Sequence, residues 1–164
     1  MKKLITTLLA LCLTTTASFS DVKLGIIIGF TGPIESLTPD MAAGAELAIE
    51  EVNNSKHFSL GKVSGVRADS TCINSSEAIA AAERLITSDK VNGIMGADCS
   101  GVTTAILQQV ALANGVVMIS PSATSPALST VEDNNLFFRT APSDARQGQV
   151  IADILKEKGL KKVA

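Results

Sequence analysis

The run from Val22 to Phe30, VKLGIIIGF, is apolar almost without alternation. A strand with one wet face alternates polar and apolar residues. A strand that reads apolar throughout is covered on both faces, as in parallel sheets flanked by helices. The rest of the chain repeats that logic. Thr31-Gly32-Pro33 breaks the run, and Thr38-Pro39-Asp40 predicts a helix start: Thr38 as N-cap, Pro39 at the first helical position, Asp40 in the first turn. Ala42, Ala45, Ile49 and Val52 then form one apolar face through to Asn53. A second strand is expected at Val63 to Asp69; it alternates and is less apolar, which places it nearer an edge.

Asn74 is expected to cap the second helix, with Glu77 in the capping-box position and Ala78, Ala81, Leu85 and Ile86 facing inward. The stretch from Gly93 to Pro126 follows as a short strand (Gly93 to Met95), a Cys-Ser-Gly turn and a helix from Ser100 or Gly101 to Ala113. Val102, Ala105, Ile106 and Val110 are on its buried side, and Asn114-Gly115 is its stop. Then come a strand at Val116 to Ile119 and a Ser/Thr/Pro loop that Pro121 and Pro126 keep from being regular helix. Leu136 to Arg139 is a fifth strand, Ser143 caps a helix that ends at Gly159, and Lys161 to Ala164 begins another strand. Alternating strands and helices give an α/β fold with a mostly parallel sheet and helices on both faces. The chain is expected to continue past Ala164, because its last strand has no unit to complete it.

The first 20 residues form a secretory signal peptide: Lys2 and Lys3, an apolar core from Leu4 to Leu13, then small residues. Cleavage is expected near Ser20, with Ala17 the rival, and the protein is expected in the periplasm. Cys12 follows Leu11, where a lipoprotein needs a small residue. Loss of Lys2 and Lys3 leaves 12 basic and 16 acidic side chains, a net of −4. That balance, with aromatic residues at 3% and neither Trp nor Tyr, gives no basic stripe or stacking surface for nucleic acid. The remaining cysteines, Cys72 and Cys99, each fall just after a predicted strand, at the same sheet end. An even pair in an exported chain favours a disulfide over two free thiols. A metal site is less favoured, since the one other soft ligand, His57, lies in a different loop.

Enzyme motifs are wanting. The glycines of Gly25 to Gly32 lack the dinucleotide-binding spacing, Asp98-Cys99-Ser100-Gly101 is no nucleophile elbow, there is no phosphate-binding P-loop, and His57 sits in a polar loop. The turns after the third and fourth strands open at the carboxyl end of the sheet, where ligands of open α/β sheets bind. A helix start offers unpaired N–H groups there, Gly101 lets a ligand approach the backbone, and Ser100, Ser122 and Thr124 add hydroxyls. Such chemistry holds a small anionic or zwitterionic molecule; the alternative is that Ser100 is an N-cap and the loop a turn.

The chain resembles the periplasmic leucine/isoleucine/valine-binding proteins of branched-chain amino acid ABC transporters. The pieces that carry this are GFTGPIESLTPDMAAGAELAIEEVN, Asp69-Ser70-Thr71-Cys72, GADCSGVTT, ISPSATSPAL and FFRTAPSDARQG, in family order and spacing. The resemblance implies a type I periplasmic binding fold of two lobes, with residues 21–160 as the first lobe and 161–164 as the start of the second. It implies a monomer without cofactor or catalytic activity that closes on an amino acid and hands it to a membrane permease. By resemblance, Cys72 pairs with Cys99, and Ser100 donates to the ligand carboxylate. The turn Ser122-Ala123-Thr124 supplies backbone groups at Ser122 and the Thr124 hydroxyl, and an acidic partner for the ammonium comes from the second lobe. One position departs: Leu37 stands where leucine-binding members can place a Tyr, so the branched-chain specificity is what this departure touches. A receptor's extracytoplasmic sensor domain on the same fold, or a binder of a small amide or another carboxylate, is the alternative.

Overall fold

The computed structural model describes residues 21–59 and 61–162, so the expected signal peptide lies outside the described residues. The strands are β1 (Val22–Ile28), β2 (Val63–Asp69), β3 (Gly93–Gly96), β4 (Val117–Ser120) and β5 (Phe137–Arg139). They form one sheet in the order β2-β1-β3-β4-β5, and every pairing is parallel. The alternating strand is at the edge, and the run that is apolar throughout is inside.

Successive β1 residues point to opposite faces, and each face has its own core. Ile27 packs with Ala78, Ala82 and Leu85 of α2 (Ser75–Thr87) and with Val102, Ile106 and Val110 of α3 (100–114). Ile26 and Ile28 pack with Ala42, Ala45 and Ile49 of α1 (Thr38–Asn54). Helices therefore cover both faces, but unequally. The face that α1 covers over β1 is open over β4 and β5, where Val117, Ile119 and Phe138 are exposed. The last helix, α4 (Asp144–Glu157), carries no buried residue.

Helix α3 departs from the expected pattern. It opens as Ser100–Ile106, passes through a π turn at Leu107–Ala111 and ends as Leu112–Asn114. A π turn fits an extra residue into one turn and so rotates the faces beyond it. Thr103, Leu107 and Ala111 are buried, whereas Ala105 is only half-buried. In α2, Ala82 is fully buried and Ala81 lies at the margin of the core.

Caps follow the sequence at three helix ends. The Asn74 side chain accepts from Ser76 N and Glu77 N, the Ser143 hydroxyl accepts from Ala145 N, and Gly115 ends α3 at φ 64°. In the expected capping box, Glu77 takes the side-chain amide of Asn74 at 2.8 Å, not its backbone N–H. Thr38 corrects the expectation more strongly. Leu37 occupies the N-cap position without a side-chain cap. The Thr38 hydroxyl is fully buried and donates to the carbonyl of Gly29 at 3.0 Å. That carbonyl lies just past the end of β1, and a buried acceptor needs a donor. Lys161 and Lys162 have no regular structure, and the rest of the strand expected there lies outside the described residues.

Candidate functional site

The carboxyl ends of β1, β2 and β3 are tied by one carboxylate. Asp98 is 3% exposed and accepts from Gly29 N at 2.8 Å, from the Ser70 hydroxyl at 3.1 Å and from Cys99 N at 3.0 Å. With those partners it serves the scaffold. Beside it, Cys72 and Cys99 form a disulfide. The loop from β2 to α2 is thereby fixed to the start of α3. Its other anchor is Asp69, which accepts from the Thr31 hydroxyl at 2.6 Å and Thr71 N at 2.8 Å. Partial burial pushes the Asp69 carboxyl up, but hydrogen bonds from the Thr31 hydroxyl and from the backbone N–H of Thr71, Thr31 and Phe30 together hold it below its ordinary value.

The β4–β5 loop is built on Ser120, which is fully buried. Its hydroxyl donates to the carbonyl of Ala97 and accepts from Ala123 N at 2.9 Å. The Ser122 hydroxyl donates to the carbonyl of Asp98 at 2.9 Å. Ala123 is fully buried, so its side chain anchors the turn. From the other side, the Arg139 guanidinium donates to the carbonyls of Ser125 and Ala123 at 2.8 and 3.3 Å. The turn is thus fixed at both ends before any ligand arrives.

Ser100 is where the two loops meet. Its hydroxyl oxygen accepts from Thr124 N and from Ser125 N, each at 3.1 Å. A hydroxyl has two lone pairs and one hydrogen. Both lone pairs are engaged, so the hydrogen remains to be donated. Cys99, the N-cap of α3, makes no side-chain cap, and the first N–H groups of a helix have no intrahelical acceptor. Gly101 is exposed, and a Cβ there would meet nothing within 4 Å, so a ligand has room to approach that backbone. Donors at a helix start beside an unspent hydroxyl hydrogen suit a carboxylate.

The structure brings Ser100, Gly101, Ser122, Ala123 and Thr124 together. Leu37 belongs to the separate β1–α1 loop, 62% exposed, with its N–H donated to the carbonyl of Ile34. His57 is exposed on the loop after α1. Among the described residues, no group of three or more His, Cys, Asp or Glu could hold a metal ion. Sequence reasoning missed the scaffold roles of Asp98 and Arg139 and the contact of Thr124 with Asp144. The Thr124 hydroxyl donates to the Asp144 carboxylate at 3.0 Å, and Asp144 N donates to the carbonyl of Thr124 at 2.9 Å. The only local sign of this was Asp144 in the first turn of α4.

The family model of the receptor family ligand binding region matches residues 40–164. The Leu/Ile/Val-binding protein homolog 3 of Brucella melitensis is 32% identical over 149 residues, which are 90% of this chain and 39% of that protein. The Leu/Ile/Val-binding protein of Citrobacter freundii is 30% identical over 157 residues, 96% of this chain and 42% of the relative. The branched-chain amino acid transporter substrate binding protein of Streptococcus pneumoniae, solved with isoleucine, superposes with a TM-score of 0.76 at 28% identity, over 85% of this chain and 39% of that one. The chain spans about two fifths of the length of the curated relatives it matches. It belongs to the receptor family ligand binding region, and its likeness within that family is to Leu/Ile/Val-binding proteins.

Proposed function

We propose that this chain forms the carboxylate-binding half of an amino acid site, in an exported solute-binding protein that serves an ABC transporter permease and catalyses no reaction. The observation that carries this reading is the Ser100 hydroxyl. Two backbone N–H groups fill its lone pairs and leave its hydrogen free at the start of α3. A carboxylate there is held by a hydroxyl and helix N–H groups and needs no Arg or Lys. Ser122, Ala123 and Thr124 supply the neighbouring backbone and hydroxyl groups, and Leu37 borders the ligand side chain. A second lobe, on the far side of a hinge, supplies the acidic partner for the ammonium. Closure of the two lobes on the ligand then creates the form that the permease recognises. The named ligands of the relatives, leucine, isoleucine and valine, make branched-chain amino acids the first candidates.

A sensor domain of a receptor is the second reading, favoured by the family model's own description as a receptor ligand binding region. The test is a thermal-shift panel on the full-length protein with each of the twenty amino acids, urea and small amides. A ligand at a hundred times its dissociation constant stabilises by about 2.7 kcal/mol. A shift with Leu, Ile or Val is the expected result. A shift with a different amino acid would keep the transport role and move the specificity, and silence across the amino acids would overturn the assignment.

A further inference from the structure

Arg139 reaches the Ser100 hydroxyl only through the turn that it braces. Its guanidinium donates to the carbonyl of Ala123 at 3.3 Å, to that of Ser125 at 2.8 Å and to the Ser129 hydroxyl. All three acceptors are neutral. The ion pairs among the described residues are Arg67–Glu46 and Arg84–Asp89, so no carboxylate there pairs with Arg139. Its side chain is half-buried at the end of β5. The carbonyl of Ala123 and the N–H of Thr124 belong to one peptide group, and that N–H donates to Ser100 Oγ at 3.1 Å. A cation against a carbonyl oxygen draws electrons toward itself and makes the N–H of the same peptide a stronger donor. The Ser100 hydroxyl that receives this N–H is polarised in turn, and its own free hydrogen becomes a stronger donor. A positive charge thus stands at one end of the relay and an unspent hydrogen at the other. The second donor to Ser100, Ser125 N, lies on a different peptide. The carbonyl of that peptide, Thr124 O, receives Asp144 N at 2.9 Å and not the guanidinium.

We propose that Arg139 is a positioning residue that conveys positive charge to the ligand carboxylate through the Ala123–Thr124 peptide and the Ser100 hydroxyl, without touching the ligand. The inference rests on the amino acid-binding reading above and adds to it a source of charge that a helix start and a neutral hydroxyl lack. A guanidinium in direct contact would have to shed water each time a ligand arrived. Arg139 is already bonded to three protein oxygens, so it is oriented before binding.

The experiment is titration calorimetry of the full-length protein with leucine, joined to amide proton spectra of the ligand-free protein. Arg139→Gln carries donors but no charge, and is expected to weaken leucine about twofold to fivefold, the gain that cooperative strengthening of a bond to a charged group allows. Arg139→Lys keeps the charge and is expected to recover most of that loss. In a Ser100→Ala background the relay has no end, so Arg139→Gln is expected to cost leucine nothing further. The Thr124 amide proton should move upfield in Arg139→Gln and stay in place in Arg139→Lys, while that of Ser125 moves less. Equal weakening in the lysine and glutamine variants, the same loss in the Ser100→Ala background, or equal shifts of both amide protons would overturn the proposal, because a loosened turn would then explain the effect. Unchanged leucine binding in Arg139→Gln would overturn it alone and leave the amino acid reading standing. A wild-type protein that does not bind leucine would overturn the branched-chain reading and this proposal with it.

Discussion

The backbone N–H of Gly29 donates to the Asp98 carboxylate at 2.8 Å, so the loop after β1 is held by the residue that precedes α3. The same carboxylate takes the Ser70 hydroxyl. Asp98→Ala leaves both donors buried and unpaired, and each such group costs about 1–3 kcal/mol. The expected loss of stability is about 3 kcal/mol, read from the midpoint of urea unfolding. Asp98→Asn retains one acceptor and should lose less. A loss under about 1 kcal/mol in the alanine variant would show that the strand ends do not depend on this residue.

Asp69 sets an acid limit on the fold. Its carboxyl is held below the ordinary value in the folded state, so the unfolded chain binds the proton more tightly. The stability that this difference contributes is fully present above the unfolded carboxylate range, at about pH 4. It is lost as the pH falls through the lower folded value. Melting temperatures measured from neutral pH down to about pH 3 should therefore fall less steeply in Asp69→Asn than in the wild type at the acid end. Parallel acid limbs in the two proteins would refute the assignment.

The Cys72–Cys99 bridge closes a loop of 27 residues' separation. In the chain-entropy account a loop of that size stabilises by about 3.5 kcal/mol. Here the bridge also fixes the residue before Ser100. Reduction by dithiothreitol should lower the melting temperature, and the Cys72→Ser, Cys99→Ser double variant should match the reduced protein. If reduction leaves stability intact but weakens leucine binding, the bridge acts on the site more than on the fold.

Ser100→Ala tests the proposed carboxylate site and the loop anchor together. The variant loses the hydroxyl hydrogen left free at the start of α3 and the oxygen that receives Thr124 N and Ser125 N. A hydrogen bond to a charged group is worth about 1.5–3 kcal/mol, so leucine affinity should fall about tenfold to a hundredfold in calorimetry. Gly101→Ala is the companion variant. Its new Cβ meets nothing in the protein, so the fold should be retained, and any weakening of leucine reports the closeness of the ligand to that backbone.

Much of this was legible because it is local. The unbroken apolar run of β1 announced cover on both faces, and the Asn74, Ser143 and Gly115 caps lie next to the helices they end. What escaped is long-range. Asp98 is 69 positions from Gly29, and Asp144 is 20 from Thr124, so no pattern of neighbours could pair them. Thr38 was misread for a related reason: a Thr-Pro-Asp run fits an N-cap locally, but the carbonyl of Gly29 claims its hydroxyl. The π turn in α3 escaped too, because hydrophobic periodicity assumes a constant number of residues per turn.

Two glycines give the sharpest contrast available to mutation. Gly96, at the end of β3, has φ +136°, and a Cβ there would stand 2.0 Å from the carbonyl oxygen of Ile27 on the neighbouring strand. Backbone cannot yield as a flexible side chain can, so Gly96→Ala must part β3 from β1 at the edge of the site. The expected result is a protein that fails to fold or melts far below the wild type. Gly44 lies inside α1, where a Cβ meets nothing within 4 Å. Its only effect is entropic, since glycine has more backbone freedom to lose in a helix. Gly44→Ala should therefore stabilise by about 0.5–1 kcal/mol. A Gly96→Ala protein that melts like the wild type would disprove the β1–β3 packing described above, and a destabilised Gly44→Ala would place α1 against something that its exposed face does not show.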